Sequence, residues 1–147
     1  LNAVMLESHE DDRFCTVVLI RLTRSGDEWT VSMAAGGHAP PLLVRRGALE
    51  DVPFKPGSLM GVFDDADYAS TTFPLLPGDV LLLHTDGSSE GRRGSSFFGD
   101  ERLRESARRN ARTPELMVNG VLADVLEFQD GIASDDIALV AVAVHGD

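Results

Sequence analysis

Pro77-Gly78-Asp79-Val80-Leu81-Leu82-Leu83-His84-Thr85-Asp86-Gly87 reads as a turn, a buried strand and an acid at the strand's end. Proline and glycine take the central positions of a turn over Leu76–Asp79. The apolar run that follows is too short for a helix and predicts a strand over about 79–85. Asp86 ends that strand on a rigid base, and Gly87 breaks the chain after it. A second stretch mirrors it. Asp135 and Asp136 stand directly before Ile137-Ala-Leu-Val-Ala-Val-Ala-Val144, which predicts a strand buried on both faces. If the two strands are antiparallel neighbours, Asp86 and Asp135 converge. Converging carboxylates repel unless something neutralises them, and a hard divalent cation does so with oxygen ligands. By themselves, strand-end aspartates more often start turns or cap a neighbouring backbone group than bind a metal.

Between these stretches lie two helices. One is expected from near Asp100 to Ala111, with Leu103, Ala107 and Ala111 on one face. The second begins at Thr113 as N-cap, with Pro114 first in the helix and Glu115 in its first turn. Its apolar stripe is Val118, Val121, Leu122, Val125 and Leu126. The Phe97-Phe98 pair reads as a hydrophobic plug ahead of the first helix. The loop Ser88-Ser-Glu-Gly-Arg-Arg-Gly-Ser-Ser96 reads as mobile. Arg92 and Arg93 in it suit an acidic or phosphorylated partner, with a plain surface loop as the alternative.

Upstream, strands at about 14–23 and 28–35 flank the turn Arg24-Ser-Gly-Asp27 and predict an antiparallel hairpin. Gly36-Gly37-His38-Ala39-Pro40-Pro41 then breaks the chain, Leu42–Arg45 resumes a strand, and an extended piece lies near 49–54. His38 is read as tying this turn down by hydrogen bonding, with an acid/base role as the second reading; the two glycines supply unusual backbone angles. Residues 55–62 read as a loop and about 67–74 as a strand. His84 is expected in the core, and His9 and His145 on the surface. Strands, then two helices, then a last strand make an α+β domain.

The 147 residues suffice for one domain with a core, and 43% hydrophobic content argues against disorder. Residues 1–13 read as a helix end and linker containing Glu7, Glu10, Asp11 and Asp12. Residues 14–147 read as the sheet-and-helix portion of a partial domain cut from a longer chain. The net charge of −11 argues against a nucleic-acid partner. No run of 18 apolar residues predicts membrane insertion. A lone cysteine, Cys15, reads as a small core residue and fits a reducing cytoplasm.

Five landmarks in order carry a resemblance: Gly36-Gly-His-Ala-Pro-Pro41; Leu59-Met-Gly61; Pro77 to Gly87 with Glu90; Phe98-Gly99; and Asp135-Asp-Ile-Ala-Leu139. Over residues 14–144 the chain resembles the sporulation stage II E-like branch of the PPM-type metal-dependent protein serine/threonine phosphatases. The resemblance implies a layered β-sandwich flanked by helices, with two Mn²⁺ or Mg²⁺ ions at one edge. It makes Asp86 and Asp135 metal ligands, Asp136 a weak ligand or neighbour, and Gly36, Gly37, His38 and Gly87 structural parts near the site. A metal-activated water is then the attacking group, and no side chain attacks.

The implied substrate is a phosphoserine or phosphothreonine protein, such as an anti-sigma factor antagonist in a partner-switching circuit, with a sensory domain N-terminal to the phosphatase. The family also carries an upstream Asp and a Gly-His-Gly loop, which this sequence does not contain. The chain alone is therefore expected to bind metal weakly and to turn over poorly. A degenerate, protein-binding version of the fold is the alternative.

Overall fold

Residues 1–7 and 14–145 are described by the structure, a computed structural model. The acidic stretch Glu10–Asp12 and His9 lie outside the described residues. The chain divides into two compact units. The first comprises Leu1–Pro40 and Pro53–Pro74, and the second Pro41–Val52 and Leu75–Asp147.

In the first unit, helix α1 (Asn2–Glu7) precedes strands β1 (Val17–Ser25) and β2 (Glu28–Gly36). The strands form the expected antiparallel hairpin, with Ser25 opposite Glu28 and Val17 opposite Gly36. Gly26 turns the chain at φ +61°, where a side chain is strained. Alternation on β2 buries Val31, Met33 and Ala35, as a period of two demands. A third strand, β5 (Thr71–Leu75), completes the sheet order β1-β2-β5. It is shorter than expected, starting at Thr71.

Two of the sequence landmarks meet here. A Cβ on Gly36 would lie 3.0 Å from the Tyr68 ring and 3.1 Å from the Ser58 carbonyl, and one on Gly37 would overlap Leu59. Gly37 also holds φ +65° and donates its N–H to the Gly57 carbonyl at 2.9 Å. The Gly36-Gly37 pair is thus required by close approach of the 57–60 segment. Cys15 is half-buried, not a core residue. Its N–H and C=O pair with Met60, and its thiol lies 3.5 Å from Met5 Sδ.

The second unit is built on a four-stranded antiparallel sheet in the order β4-β3-β6-β9: β4 (Ala48–Glu50), β3 (Leu42–Arg45), β6 (Val80–His84) and β9 (Leu139–Val142). Helices α2 (Gly99–Asn110) and α3 (Pro114–Phe128) cover it. Leu42, Val44, Val80 and Leu82 meet Leu103, Ala107, Met117, Val121 and Val125 in one core. Thr113 caps α3 as expected, its hydroxyl accepting from Leu116 N–H at 3.1 Å.

Three expectations need correction. The buried face of α3 is Met117, Val121, Val125 and Phe128, rotated from the expected stripe; Val118, Leu122 and Leu126 are only half-buried. The rotation lets Phe128 reach Phe98, with ring centroids 5.6 Å apart in an edge-on arrangement. The last strand spans four residues and is not buried on both faces: Leu139 and Ala141 pack against the helix-covered core, whereas Val140, alternating to the other face, is 56% exposed. The 88–97 region is not a plain loop. A 3-10 turn (Asp86–Ser88) leads into a small hairpin of β7 (Arg92–Arg93) and β8 (Ser96–Phe97).

Asp79, inside the opening stretch, has a structural task. It is 2% exposed and receives Arg45 Nε at 3.0 Å and a terminal guanidinium nitrogen at 2.7 Å, while its Oδ2 also accepts from Leu76 N–H at 2.8 Å. The bond from Arg45 to Asp79 raises the arginine's pKa above its ordinary value, against the opposing pull of burial.

Candidate metal centre

Antiparallel pairing of β6 with β9 sets His84 opposite Leu139 and brings the two acidic segments side by side just beyond the ladder. Thr85 fastens them. Its N–H donates to the Ala138 carbonyl at 3.1 Å, its hydroxyl donates to the Asp136 carbonyl at 3.1 Å, and its Oγ1 accepts from Ala138 N–H at 2.9 Å. Past Thr85 the chain tightens into the 3-10 turn that starts at Asp86, with Ser88 N–H bonded to the Thr85 carbonyl at 3.0 Å.

Gly87 shows how close the segments come. A Cβ there would overlap the Asp136 carbonyl oxygen and stand 3.5 Å from the Asp135 Cβ. The structure therefore brings Asp86, Gly87, Asp135 and Asp136 together at one end of one sheet. All three aspartates are exposed, while Gly87 is buried.

Each carboxylate has one oxygen engaged locally. Asp86 Oδ1 accepts from Gly87 N–H at 3.0 Å, and Asp135 Oδ1 accepts from Asp136 N–H at 2.7 Å. These bonds are the capping role that strand-end aspartates commonly play. Each leaves the carboxylate's second oxygen for another partner. The donors are all hard oxygens, which fits Mn²⁺ or Mg²⁺ and not the softer metals. Among the described residues no group of three or more His, Cys, Asp or Glu side chains gathers to hold a metal. A cation of the Mg²⁺ type, which keeps several waters and takes one or two carboxylates, fits this sparse set.

The other expected site residues divide between the two units. Gly36, Gly37 and His38 belong to the first unit, where His38 Nδ1 lies 3.3 Å from Thr16 Oγ1. That contact matches the turn-tying reading of His38. His84 is buried, as expected, and His145 is exposed. Arg92 and Arg93 are exposed and stack on aromatic faces: Arg92 over Phe97 at 4.6 Å and Arg93 over Phe128 at 4.7 Å. The phenylalanine pair splits accordingly, with Phe98 in the core and Phe97 46% exposed beneath Arg92.

Two contributors were missed from the sequence. Thr85 carried a signal, since a hydroxyl immediately before a strand-end acid can bond a neighbouring strand. Gln129, buried beside this region, carried none.

The family model for stage II sporulation protein E (SpoIIE) matches residues 1–145. The phosphoserine phosphatase RsbU of Bacillus subtilis (strain 168) is 24% identical over 145 residues, covering 97% of this chain and 42% of RsbU. Among solved structures, the SiaA-PP2C domain of Pseudomonas aeruginosa superposes with a TM-score of 0.77 at 21% identity, covering 97% of this chain and 56% of that one. The manganese-presoaked phosphatase domain of the cell fate determinant SpoIIE from Bacillus subtilis gives 0.68 at 16% identity, covering 99% and 72%. These structural likenesses establish the fold as that of the PP2C-type phosphatases. The chain spans less than half the length of the curated relatives it matches.

Proposed function

The chain belongs to the stage II sporulation protein E (SpoIIE) family, and from that premise we propose that it is part of a metal-dependent phosphoprotein phosphatase domain, with Asp86 and Asp135 holding Mn²⁺ or Mg²⁺. One observation carries the reading: the chain at Gly87 lies so close to Asp135 and Asp136 that no side chain fits between them. That closeness supports the reading because it puts the main chain carrying Asp86 against the main chain carrying Asp135, and a cation held by both side chains would offset the repulsion of paired carboxylates.

Asp86 and Asp135 anchor the ion, and Asp136 contributes its backbone to the clasp with Thr85. The expected complement is two ions, as the resemblance implies. A bound ion supplies an acidified water as nucleophile and positive charge to the phosphoryl oxygens. The rest falls to the chain's own groups. The bonds from Gly87 N–H and Asp136 N–H each engage one oxygen of a carboxylate, and in this reading its other oxygen takes the ion. Arg92 and Arg93, on the hairpin that follows Asp86, are placed to meet the acidic or phosphorylated surface of a protein substrate.

The substrate in this reading is a phosphoserine or phosphothreonine protein, and the finer proposal is an anti-sigma factor antagonist. RsbU, a relative, bears the name phosphoserine phosphatase, which supports the coarser half. Both compact units are read as parts of the same phosphatase domain, since the family match runs through both. A cytoplasmic location and an N-terminal sensory domain complete the proposal. No helix among the described residues is long and apolar enough to cross a membrane. The alternative, a degenerate protein-binding module, draws on the absence of a third metal-binding side chain among the described residues.

Hydrolysis of p-nitrophenyl phosphate by the full-length protein decides between them. The enzyme reading predicts Mn²⁺-dependent turnover that falls by at least about 100-fold in Asp86→Asn. No turnover in either protein supports the binding module, and equal measurable rates in both overturn the role given to Asp86.

A further inference from the structure

Gln129 follows the last turn of α3, where the helix is stopped by Asp130 at φ +55° and Gly131 at φ +87°. Its backbone N–H still bonds to the Val125 and Leu126 carbonyls, and Gly131 N–H closes the end on Leu126 at 2.8 Å. The residue is therefore rigidly placed. Its side chain is buried, with the whole residue 5% exposed, an unusual condition for a glutamine.

The amide touches both acidic segments. Oε1 accepts from Ser134 N–H at 2.7 Å, one residue before Asp135. On the other side it faces Gly91, on the segment that follows Asp86: a Cβ on Gly91 would lie 2.7 Å from Nε2 and 2.9 Å from Cδ. Next to this contact, Arg92 N–H donates to Ser134 Oγ at 3.3 Å, so the two segments also touch directly. Nε2 itself is buried and has no hydrogen-bond partner among the described residues. A buried donor without a partner opposes folding, so the amide is poorly explained as a stabiliser of the core.

We propose that Gln129 is a positioning residue for the metal-binding carboxylates. Its amide is a wedge of fixed length between the chain leaving Asp86 and the chain arriving at Asp135, and it sets the separation of the pair. The proposal rests on the reading that those carboxylates bind the ion. Groups that orient metal ligands commonly change metal affinity by about 10–100-fold when lost.

The test is Mn²⁺ titration by calorimetry on the full-length protein, alongside thermal unfolding and amide hydrogen exchange without metal. Gln129→Met keeps the volume and removes the acceptor. Its Mn²⁺ affinity is expected to fall about 10–100-fold, with faster exchange at the Ser134 amide. Gln129→Glu keeps an oxygen for Ser134 N–H and is expected to retain both the affinity and the slow exchange. Asp86→Asn is run beside them. If it leaves Mn²⁺ affinity unchanged, the metal reading itself fails. If it abolishes binding while Gln129→Met binds like the unsubstituted protein, the positioning role alone is overturned. Should Gln129→Met not fold, Gln129→Asn, the same amide on a shorter side chain, decides: a loss of Mn²⁺ affinity of about tenfold or more at unchanged thermal stability supports the role, and unsubstituted affinity contradicts it.

Discussion

The hydroxyl of Thr85 donates to the main-chain carbonyl of Asp136 at 3.1 Å and accepts the N–H of Ala138 at 2.9 Å, so one side chain extends the β6–β9 ladder past its last backbone pair. Each of these bonds contributes modestly, and losing both together leaves a donor and an acceptor unserved. Thr85→Val, which keeps the shape and removes the oxygen, is expected to lower stability by about 1–3 kcal/mol in urea unfolding. Thr85→Ser should recover most of it. A Thr85→Val protein as stable as the unsubstituted one would show that the clasp contributes nothing.

Gly87 separates steric from conformational demands on glycine. Its backbone angle needs no glycine, yet a Cβ would overlap the Asp136 carbonyl oxygen. Gly78 is the converse, with φ +89° and open space around the missing Cβ. Gly87→Ala is expected to cost about 1–3 kcal/mol through forced displacement of the neighbouring segment, and to weaken Mn²⁺ binding with it. Gly78→Ala is expected to cost about 1–2 kcal/mol through backbone strain, with Mn²⁺ affinity unchanged. Calorimetric titration of both variants reads the difference.

Asp79 and Arg45 join the β5–β6 turn to strand β3. Removing the carboxylate leaves a guanidinium whose surroundings are arranged for an anion. Asp79→Ala is expected to destabilise by about 3 kcal/mol, the low end for breaking a buried pair, since Arg45 is 18% exposed and keeps Glu50 at 2.9 Å. Thermal unfolding measures it, and a change under about 0.5 kcal/mol, as for an exposed pair, would count against a structural role.

The guanidinium carbons of Arg92 and Arg93 lie 4.6 and 4.7 Å over the rings of Phe97 and Phe128, in the second unit. Replacing both by alanine is expected to raise KM for a phosphoprotein substrate about tenfold while leaving KM for p-nitrophenyl phosphate unchanged. Equal losses on both substrates would mean that the pair shapes the site and does not dock the protein.

Much of this fold was legible in the sequence where one short-range rule acts alone. The hairpin of β1 and β2, the Thr113 cap and the strand ahead of Asp86 follow from alternation, capping and turn chemistry. Legibility failed where a distant partner decides. The face of α3 is set by Phe128 meeting Phe98, thirty positions away in sequence. Which residues of β9 are covered depends on the helices packing over one face, and apolar composition says nothing of that. The arginines of the 88–97 region gain their order from aromatic faces the sequence does not announce. At the candidate site, Asp86 and Asp135 stand out because acids at the ends of apolar runs are conspicuous. Gln129 does not, because its role exists only once α3, Gly91 and Ser134 have come together.

The most direct measurement is a crystal of the full-length protein soaked in Mn²⁺, with diffraction recorded at the manganese absorption edge. An anomalous peak is expected at bonding distance, about 2.0–2.6 Å, from carboxylate oxygens of both Asp86 and Asp135. A fully occupied manganese bound elsewhere, or a map showing the two carboxylates turned apart with no peak between them, would contradict the metal reading.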